Sequence, residues 1–177
     1  MQYILSPHII TLLLLTGCRL NEIASLKWDY IDFDCHCIRL PSSKTGQRLV
    51  GLGVPALEYL KALPRFKEGF LFPSQVADKY YTSTPKCWRD MHKNLDLEDV
   101  RLHDLRHTFG SVGGELGCSF ARIGALLGHA GSGTTSRYVH FGNDVLGQAA
   151  TKISELILLR LQGNNNVIPI SSFQYKA

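Results

Sequence analysis

A histidine and an arginine lie three residues apart in the run His103-Asp-Leu-Arg106, and their chemistry suits work on a phosphate group. On a helix, residues with this spacing share one face, so the imidazole and the guanidinium point the same way. Arginine offers a rigid fork of donors that matches phosphate oxygens, and histidine can donate or transfer a proton. Taken alone, the pair is also typical of an ordinary helix surface, so a function can be assigned to it only together with other residues.

Four further residues could complete such a site, although each has an ordinary interpretation when it is considered alone. Arg19 follows a predicted helix end and begins the next helix. Lys44 lies in a polar turn, where a lysine is usually solvated. His129 comes at a predicted helix end, where the helix dipole favours a cation. Tyr138 follows nine residues later and is typical of a half-buried aromatic side chain.

Metal and nucleotide chemistry have weaker support. Cys35-His36-Cys37 resembles part of a metal site, but the sequence has no Cys-x-x-Cys and no second ligand pair at a suitable distance. In a strand, Cys35 and Cys37 would share one face, which favours two buried thiols. No Gly-x-x-x-x-Gly-Lys phosphate loop occurs. The sequence therefore argues against a metal site and against a nucleotide cofactor.

The composition is that of a globular domain. The chain has 177 residues, of which 45% are hydrophobic and 19% charged, and this excludes disorder or a coiled coil over most of its length. The net charge of +4 permits nucleic acid as a partner without requiring it. The longest apolar run, residues 9–15, is too short to span a bilayer, and no secretory signal is visible. With five cysteines in no framework, these features predict a cytoplasmic protein with reduced thiols and no membrane partner.

Hydrophobic periodicity and turn residues predict a mainly α chain with one small antiparallel β-sheet, an α+β fold. Residues 9–15 form a predicted buried helix, and Asn21 is predicted to cap a second short helix. Two β-like runs, residues 31–40 and 48–54, predict a hairpin with Lys44 near its tip. Further helices are predicted after Pro55 and over residues 84–95, 103–116, 120–127, 134–140 and 144–161.

Together and in this order, the candidate residues resemble the catalytic domain of the tyrosine recombinases, the phage integrase family. Five stretches carry the resemblance, and they are residues 16–28 (TGCRLNEIASLKW), 44–46 (KTG), 103–109 (HDLRHTF), 126–129 (LLGH) and 134–138 (TTSRY). They cover most of the chain between about residues 9 and 141. The combination is specific, because each stretch falls in the family's order and in its usual structural setting.

The resemblance implies a metal-free transesterification on a DNA phosphate. Arg19 and Arg106 would clamp two non-bridging oxygens and neutralise the charge of a pentacoordinate transition state. Tyr138 would attack the phosphorus, form a 3′-phosphotyrosyl link and free a 5′-hydroxyl. A free phenol has a pKa of about 10, so the site has to help remove its proton.

The other roles follow from the same resemblance. His103 is the candidate base for the phenol, and Lys44 is the candidate acid that protonates the departing 5′ oxygen. His129 would donate a hydrogen bond to the phosphate, and Glu22 would hold the loop around Arg19. Neither a metal ion nor a nucleotide cofactor is required, because the arginines supply the positive charge.

The resemblance also implies a domain plan and partners. Residues 1–162 would form the catalytic domain, and residues 163–177 a tail whose apolar part docks on its own core or on a second chain. The amino-terminal DNA-clamping domain of the family is expected to be absent from this chain. The partners would be double-stranded DNA and other copies of the protein, as a tetramer in the full-length synapse.

Three other functions remain open on the sequence. A type IB topoisomerase-like enzyme would share the chemistry and relax DNA supercoils instead of exchanging strands. A non-catalytic DNA-binding fragment would keep the fold without the reaction, although the complete set of six residues argues against it. A metallohydrolase built on the seven histidines is the third alternative.

Overall fold

The computed structural model of the protein describes five segments, which are residues 5–43, 46–65, 69–93, 99–128 and 145–163. Three residues of the predicted site, Lys44, His129 and Tyr138, lie outside these segments. The predicted helix over residues 134–140 and the tail residues 164–177 lie outside them as well.

Helices dominate the described segments, as predicted. Pro85 lies in the first turn of its helix, where its fixed φ favours helix initiation, and the Ser119 hydroxyl accepts a hydrogen bond from the Arg122 N–H as a cap. In the segments that the structure describes, no helix is both long and apolar enough to cross a membrane. The helices are α1 (Leu5–Thr16), α2 (Leu20–Ala24), α3 (Val54–Ala62), α4 (Thr84–His92), α5 (Asp104–Glu115), α6 (Phe120–Leu127) and α7 (Val145–Leu161).

A small antiparallel sheet lies between α2 and α3 in the chain. Its three strands, in the order β1-β2-β3, are β1 (Ile31–Asp32), β2 (Cys37–Ser43) and β3 (Gly46–Gly51). Ile38 of β2 pairs with Ile31 on one side and with Val50 on the other. Together with the helices, this sheet confirms the predicted α+β fold.

The first β-like run is interrupted, contrary to prediction. The Asp32 carboxylate accepts the backbone N–H of Cys35 at 2.8 Å and the Arg39 guanidinium at 2.6 Å, and these bonds stabilise a turn over residues 33–36. The same N–H and guanidinium lower the pKa of Asp32 to about 2. Cys35 therefore lies in a turn while Cys37 is buried in β2, so the prediction of one shared strand face was wrong.

The start of α2 also differs from the prediction. Glu22 accepts the backbone N–H of Arg19 at 2.7 Å, which makes Arg19 the residue that caps the helix in place of Asn21. In the last helix, the apolar side chains of Val145 and Leu161 are exposed at its two ends.

Helix α1 lies at the centre of the core. Ile9 and Leu12 are fully buried, and the helix contacts α2, α3, α4, α5 and α7. Helix α7 in turn packs against α1, α3 and α5. This arrangement brings the end of α1 and the end of α6 within hydrogen-bonding reach of one α5 side chain, which defines the candidate site.

Gly113 allows α5 to pack closely on its neighbours. A Cβ atom at this position would lie 3.1 Å from Cδ1 of Ile153 in α7 and 3.3 Å from Cγ1 of Ile123 in α6. The adjacent Gly114 faces open space, with nothing within 4 Å of such an atom. Packing therefore requires only the first of the two glycines.

We expect Gly113→Val to lower the free energy of unfolding by about 1–3 kcal/mol, because the added carbon atoms overpack the core. The matched control, Gly114→Ala, is expected to raise it by about 0.5 kcal/mol, since an exposed helical glycine is replaced by a better helix former. Urea denaturation of the two variants measures both effects. A stable Gly113→Val variant would contradict the packing argument.

Candidate active site

Arg19 stands where the chain turns between α1 and α2. Gly17 makes this turn with a φ of +64°. Besides the backbone bond to Glu22, Nη1 of Arg19 donates to Oε1 of the same carboxylate at 3.0 Å. Half of the Arg19 side chain remains exposed. Arg19 thus combines an anchored backbone with an accessible guanidinium, which suits a group that binds an anion from solution.

Arg106 reaches the same turn from α5. Its side chain is buried, with Nη1 donating to the carbonyl oxygen of Gly17 at 2.7 Å and Nη2 to that of Leu127 at 2.6 Å. These bonds use two of the five N–H groups of the guanidinium and satisfy carbonyls at two helix ends. Burial lowers the pKa of Arg106, and the nearby cations Arg19 and Arg48 lower it further.

Arg48 of β3 completes the group, and it is not among the residues that the sequence singled out. Its Nη1 forms an ion pair with Oε1 of Glu22, and its Nη2 donates to the carbonyl oxygen of Leu127 at 2.6 Å. The signal in the sequence is a charge at the start of the predicted β-like run 48–54, whose alternate positions, Val50 and Leu52, are apolar. A charge on the core-facing side of a strand requires a partner.

Glu22 is the shared carboxylate of the site. Burial raises its pKa, but the backbone N–H of Arg19 and the Arg48 guanidinium outweigh this effect and hold the pKa below its usual value. The side chain is therefore ionised at neutral pH. As the sequence predicted, Glu22 holds the loop around Arg19, and it also anchors a second arginine.

Arg19, Arg48 and Arg106, called the arginine cluster below, carry more charge than their acceptors balance. Within the described segments, the ion pairs of the cluster go to a single carboxylate, Glu22, while the other acceptors are backbone carbonyls. Three guanidinium groups and one carboxylate leave an excess of two positive charges. Such a partly buried excess favours the binding of an anion, and phosphate oxygens match the geometry of guanidinium donors.

Cys18 lies beside the cluster but is a poor nucleophile. It is buried, and burial raises the pKa of its thiol to about 11 in spite of the neighbouring arginines. Because the thiolate is the reactive form, this thiol is inert at neutral pH. The described part of the chain also holds no group of three or more His, Cys, Asp or Glu side chains arranged for a metal ion.

His103 immediately precedes α5, three residues before Arg106. Its side chain is exposed, and its ring lies 4.9 Å from that of His107, measured between centroids, in an edge-to-face arrangement. The structure thus places His103 at the end of the helix that carries Arg106, with its ring open to solvent. The predicted base is therefore accessible to solvent.

Of the three predicted residues outside the described segments, Lys44 and His129 directly follow described residues of the chain, and Tyr138 does not. Lys44 follows Ser43, which pairs with Gly46 across β2 and β3. His129 follows Gly128, the left-handed residue that ends α6. Their roles, and that of Tyr138, therefore stay predictions.

We expect Glu22→Gln to lower the free energy of unfolding at pH 7 by about 1–3 kcal/mol, because two arginines lose their charged acceptor. The folded protein holds the pKa of Glu22 below its unfolded value, so this contribution is present above the unfolded pKa and is lost as pH falls. The difference between parent and variant should therefore shrink below the ordinary glutamate pKa of about 4.3.

The matched control is Glu58→Gln, since Glu58 forms an exposed ion pair with Lys61 at 2.9 Å. This variant should stay within about 0.5 kcal/mol of the parent, as exposed pairs contribute little. Chemical denaturation at several pH values measures both variants. A Glu22→Gln effect that persists unchanged at low pH would show that the charge is not the cause.

Known recombinases are similar to this chain in sequence. A shufflon-specific DNA recombinase of Escherichia coli is 34% identical over 127 residues, which are 71% of this chain and 32% of the relative. The tyrosine recombinase XerA of Saccharolobus solfataricus is 30% identical over 138 residues, 78% of this chain and 46% of the relative. The chain thus spans about a third to a half of the length of these curated relatives.

Solved structures share the fold. The integrase from mycobacterium phage Brujita has a TM-score of 0.64 at 20% identity, over 88% of this chain and 52% of that one. A crystal structure of XerA recombinase has a TM-score of 0.56 at 24% identity, over 91% of this chain and 63% of that one. The family model of the phage integrase family matches residues 2–143. With most of its length matched in this way, the chain belongs to the phage integrase family.

Proposed function

We propose that residues 1–162 form the catalytic domain of a site-specific DNA recombinase, which cuts and rejoins strands through a 3′-phosphotyrosyl intermediate. The observation that supports this most directly is the arginine cluster, with its excess of two positive charges around Glu22. Charge that develops on a phosphate during transfer is stabilised by preorganised donors of this kind. Family membership supplies the reaction class.

A duplex DNA substrate is supported by the relatives and by the charge of the chain. The shufflon-specific enzyme is a DNA recombinase by name, and XerH has been solved bound to its difH substrate. The net charge of +4 suits a polyanion. We further propose that copies of the full-length protein assemble on DNA as a tetramer.

In the proposed reaction, the phenol oxygen of Tyr138 attacks the phosphorus, and the bond between phosphorus and the 5′ oxygen breaks. His103 takes the phenol proton, and Lys44 gives a proton to the departing 5′ oxygen. His129 donates a hydrogen bond to a non-bridging oxygen. Attack by a second 5′-hydroxyl on the phosphotyrosine then reverses these steps and restores a phosphodiester.

The two arginines of the proposed clamp have different surroundings, and we assign them different tasks. Arg19 is half exposed, so its guanidinium meets the phosphate directly. Arg106 is buried and donates to the carbonyls of Gly17 and Leu127, so it fixes two helix ends while its charge acts on the same phosphate. In this way the cluster supplies positive charge that metal ions supply in many other phosphoryl-transfer enzymes.

The experiment that tests the proposal uses a nicked duplex that traps the covalent intermediate. The parent should form an adduct with this DNA that survives denaturant, and Tyr138→Phe should form none, because only the attacking oxygen is removed. Binding of intact duplex by the Phe variant should remain close to that of the parent. An adduct with the Phe variant would show that Tyr138 is not the nucleophile.

A second assay separates recombination from simple relaxation of DNA. A recombinase exchanges strands between two sites, whereas a topoisomerase-like enzyme relaxes supercoils without exchange. Covalent attachment with relaxation but no exchange in the full-length protein would replace the proposed activity with the topoisomerase-like alternative.

Arg19→Lys tests the role of the clamp. The variant keeps the charge but loses the fork of donors, so we expect adduct formation to slow by about 100-fold, the usual effect of removing one donor to a transition state. Arg160→Lys is the matched control, since Arg160 pairs with Glu115 on the surface at 2.7 Å. If both variants react within a few-fold of the parent, Arg19 does not act on the phosphate.

A further inference from the structure

We propose that Arg48 is a positioning residue, which sets the orientation of Arg19 and Arg106 toward the phosphate without touching the phosphate itself. This inference rests on the proposed function. Arg48 shares one acceptor with each of the other two arginines, so it forms the link between them. Each step of that link is visible in the described segments.

The first link runs through Glu22. Its Oε1 atom accepts from Nη1 of Arg19 at 3.0 Å and also from Nη1 of Arg48. Arg19 is half exposed and sits in a loop, whereas the side chain of Arg48 is only 15% exposed and belongs to a strand. Because Arg48 fixes the carboxylate from the strand side, it limits where the Arg19 guanidinium can lie.

The second link runs through the carbonyl oxygen of Leu127. This oxygen accepts from Nη2 of Arg48 and from Nη2 of Arg106, both at 2.6 Å. Two guanidiniums are therefore held at one oxygen, although like charges repel and lower the pKa of Arg106. The position of either cation depends on that of the other.

Gly128 leaves the space that Arg48 occupies. It ends α6 with a φ of +68°, and a Cβ atom there would lie only 2.7 Å from Cζ of Arg48. A side chain at residue 128 would push the guanidinium away from the Leu127 carbonyl. The conformation of the helix end and the reach of Arg48 thus depend on the same glycine.

Stability alone does not account for this arrangement. Relative to well-packed apolar residues, a buried ion pair adds little net stability, because the cost of desolvation offsets the attraction between the charges, although removing one partner alone is destabilising. What an arginine adds is geometry, since its planar fork can donate to Glu22 and to the Leu127 carbonyl at once. A lysine carries all its donors on one nitrogen, so it cannot place two donor nitrogens in a rigid plane as a guanidinium does.

The test measures the rate of covalent adduct formation on the nicked duplex, together with the affinity for intact duplex. We expect Arg48→Met to slow adduct formation by about 10- to 100-fold, because misplaced reacting groups lose rates of this order. The affinity for DNA should change by less than about 3-fold. Binding depends on the sum of many contacts to phosphates, and in this proposal Arg48 makes none of them. The rate of adduct formation by Arg48→Lys should lie between the rates of the parent and of Arg48→Met.

A double-mutant cycle separates positioning from a general loss of structure. If Arg48 acts through Arg19, the loss in Arg48→Met combined with Arg19→Lys should be at least about 5-fold smaller than the product of the two single losses. Independent effects would multiply in full. Arg39→Met is the matched control, because Arg39 forms a more exposed ion pair with Asp32 in the same sheet, and its rate should stay within about 2-fold of the parent.

The outcomes are distinct. Parent-like rates in a folded Arg48→Met variant, or single losses that multiply, would overturn the role of Arg48 while leaving the proposed function intact. A parent protein that forms no adduct would overturn the proposed function and this inference together. Should the Met variant fail to fold, Arg48→Lys carries the same cycle, because it preserves the charge beside Glu22.

Discussion

The carbonyl oxygen of Leu127 accepts hydrogen bonds from two arginine side chains, and the geometry of the candidate site depends on that shared acceptor. One donor, Arg106, comes from α5 and also binds the carbonyl at the end of α1. The other, Arg48, comes from β3 and also binds Glu22 at the start of α2. Five elements, α1, α2, β3, α5 and α6, are therefore linked through this oxygen by side chains of like charge.

Holding like charges together has a cost, and that cost indicates what the site is for. Arg106 is desolvated and repelled by its neighbours, which is why its pKa is lowered. Glu22 relieves part of the repulsion but leaves an excess of positive charge. A bound phosphate would relieve the rest, and it would do so most in the transition state, where its charge is greatest. The excess positive charge of the cluster thus favours the reaction that we propose.

The sequence predicts the fold class from local patterns, and its resemblance to the tyrosine recombinases singles out two of the three clustered arginines. Helix ends at Gly17 and Gly128, and the spacing from His103 to Arg106, can be recognised from neighbouring residues alone. Arg48 could not be assigned in this way, since its partners lie 26 and 79 residues away.

Smaller differences between the predicted and the observed structure also arise from side-chain contacts that neighbouring residues do not reveal. The turn stabilised by Asp32 divides a run that has the composition of one strand, because a single carboxylate binds both a local N–H and the Arg39 guanidinium of the next strand. Side-chain contacts of this kind override the β propensity of the run. The burial of Arg106 could not be predicted from neighbouring residues either, since it depends on carbonyls contributed by two other helix ends.

The most direct measurement is a structure of the chain trapped covalently on the nicked duplex. We expect a non-bridging phosphate oxygen within about 3.2 Å of a terminal nitrogen of Arg19, with both bonds of Arg48, to Glu22 and to the Leu127 carbonyl, retained. A trapped phosphate that lies away from Arg19, with the guanidinium still bound only to Glu22, would contradict this expectation.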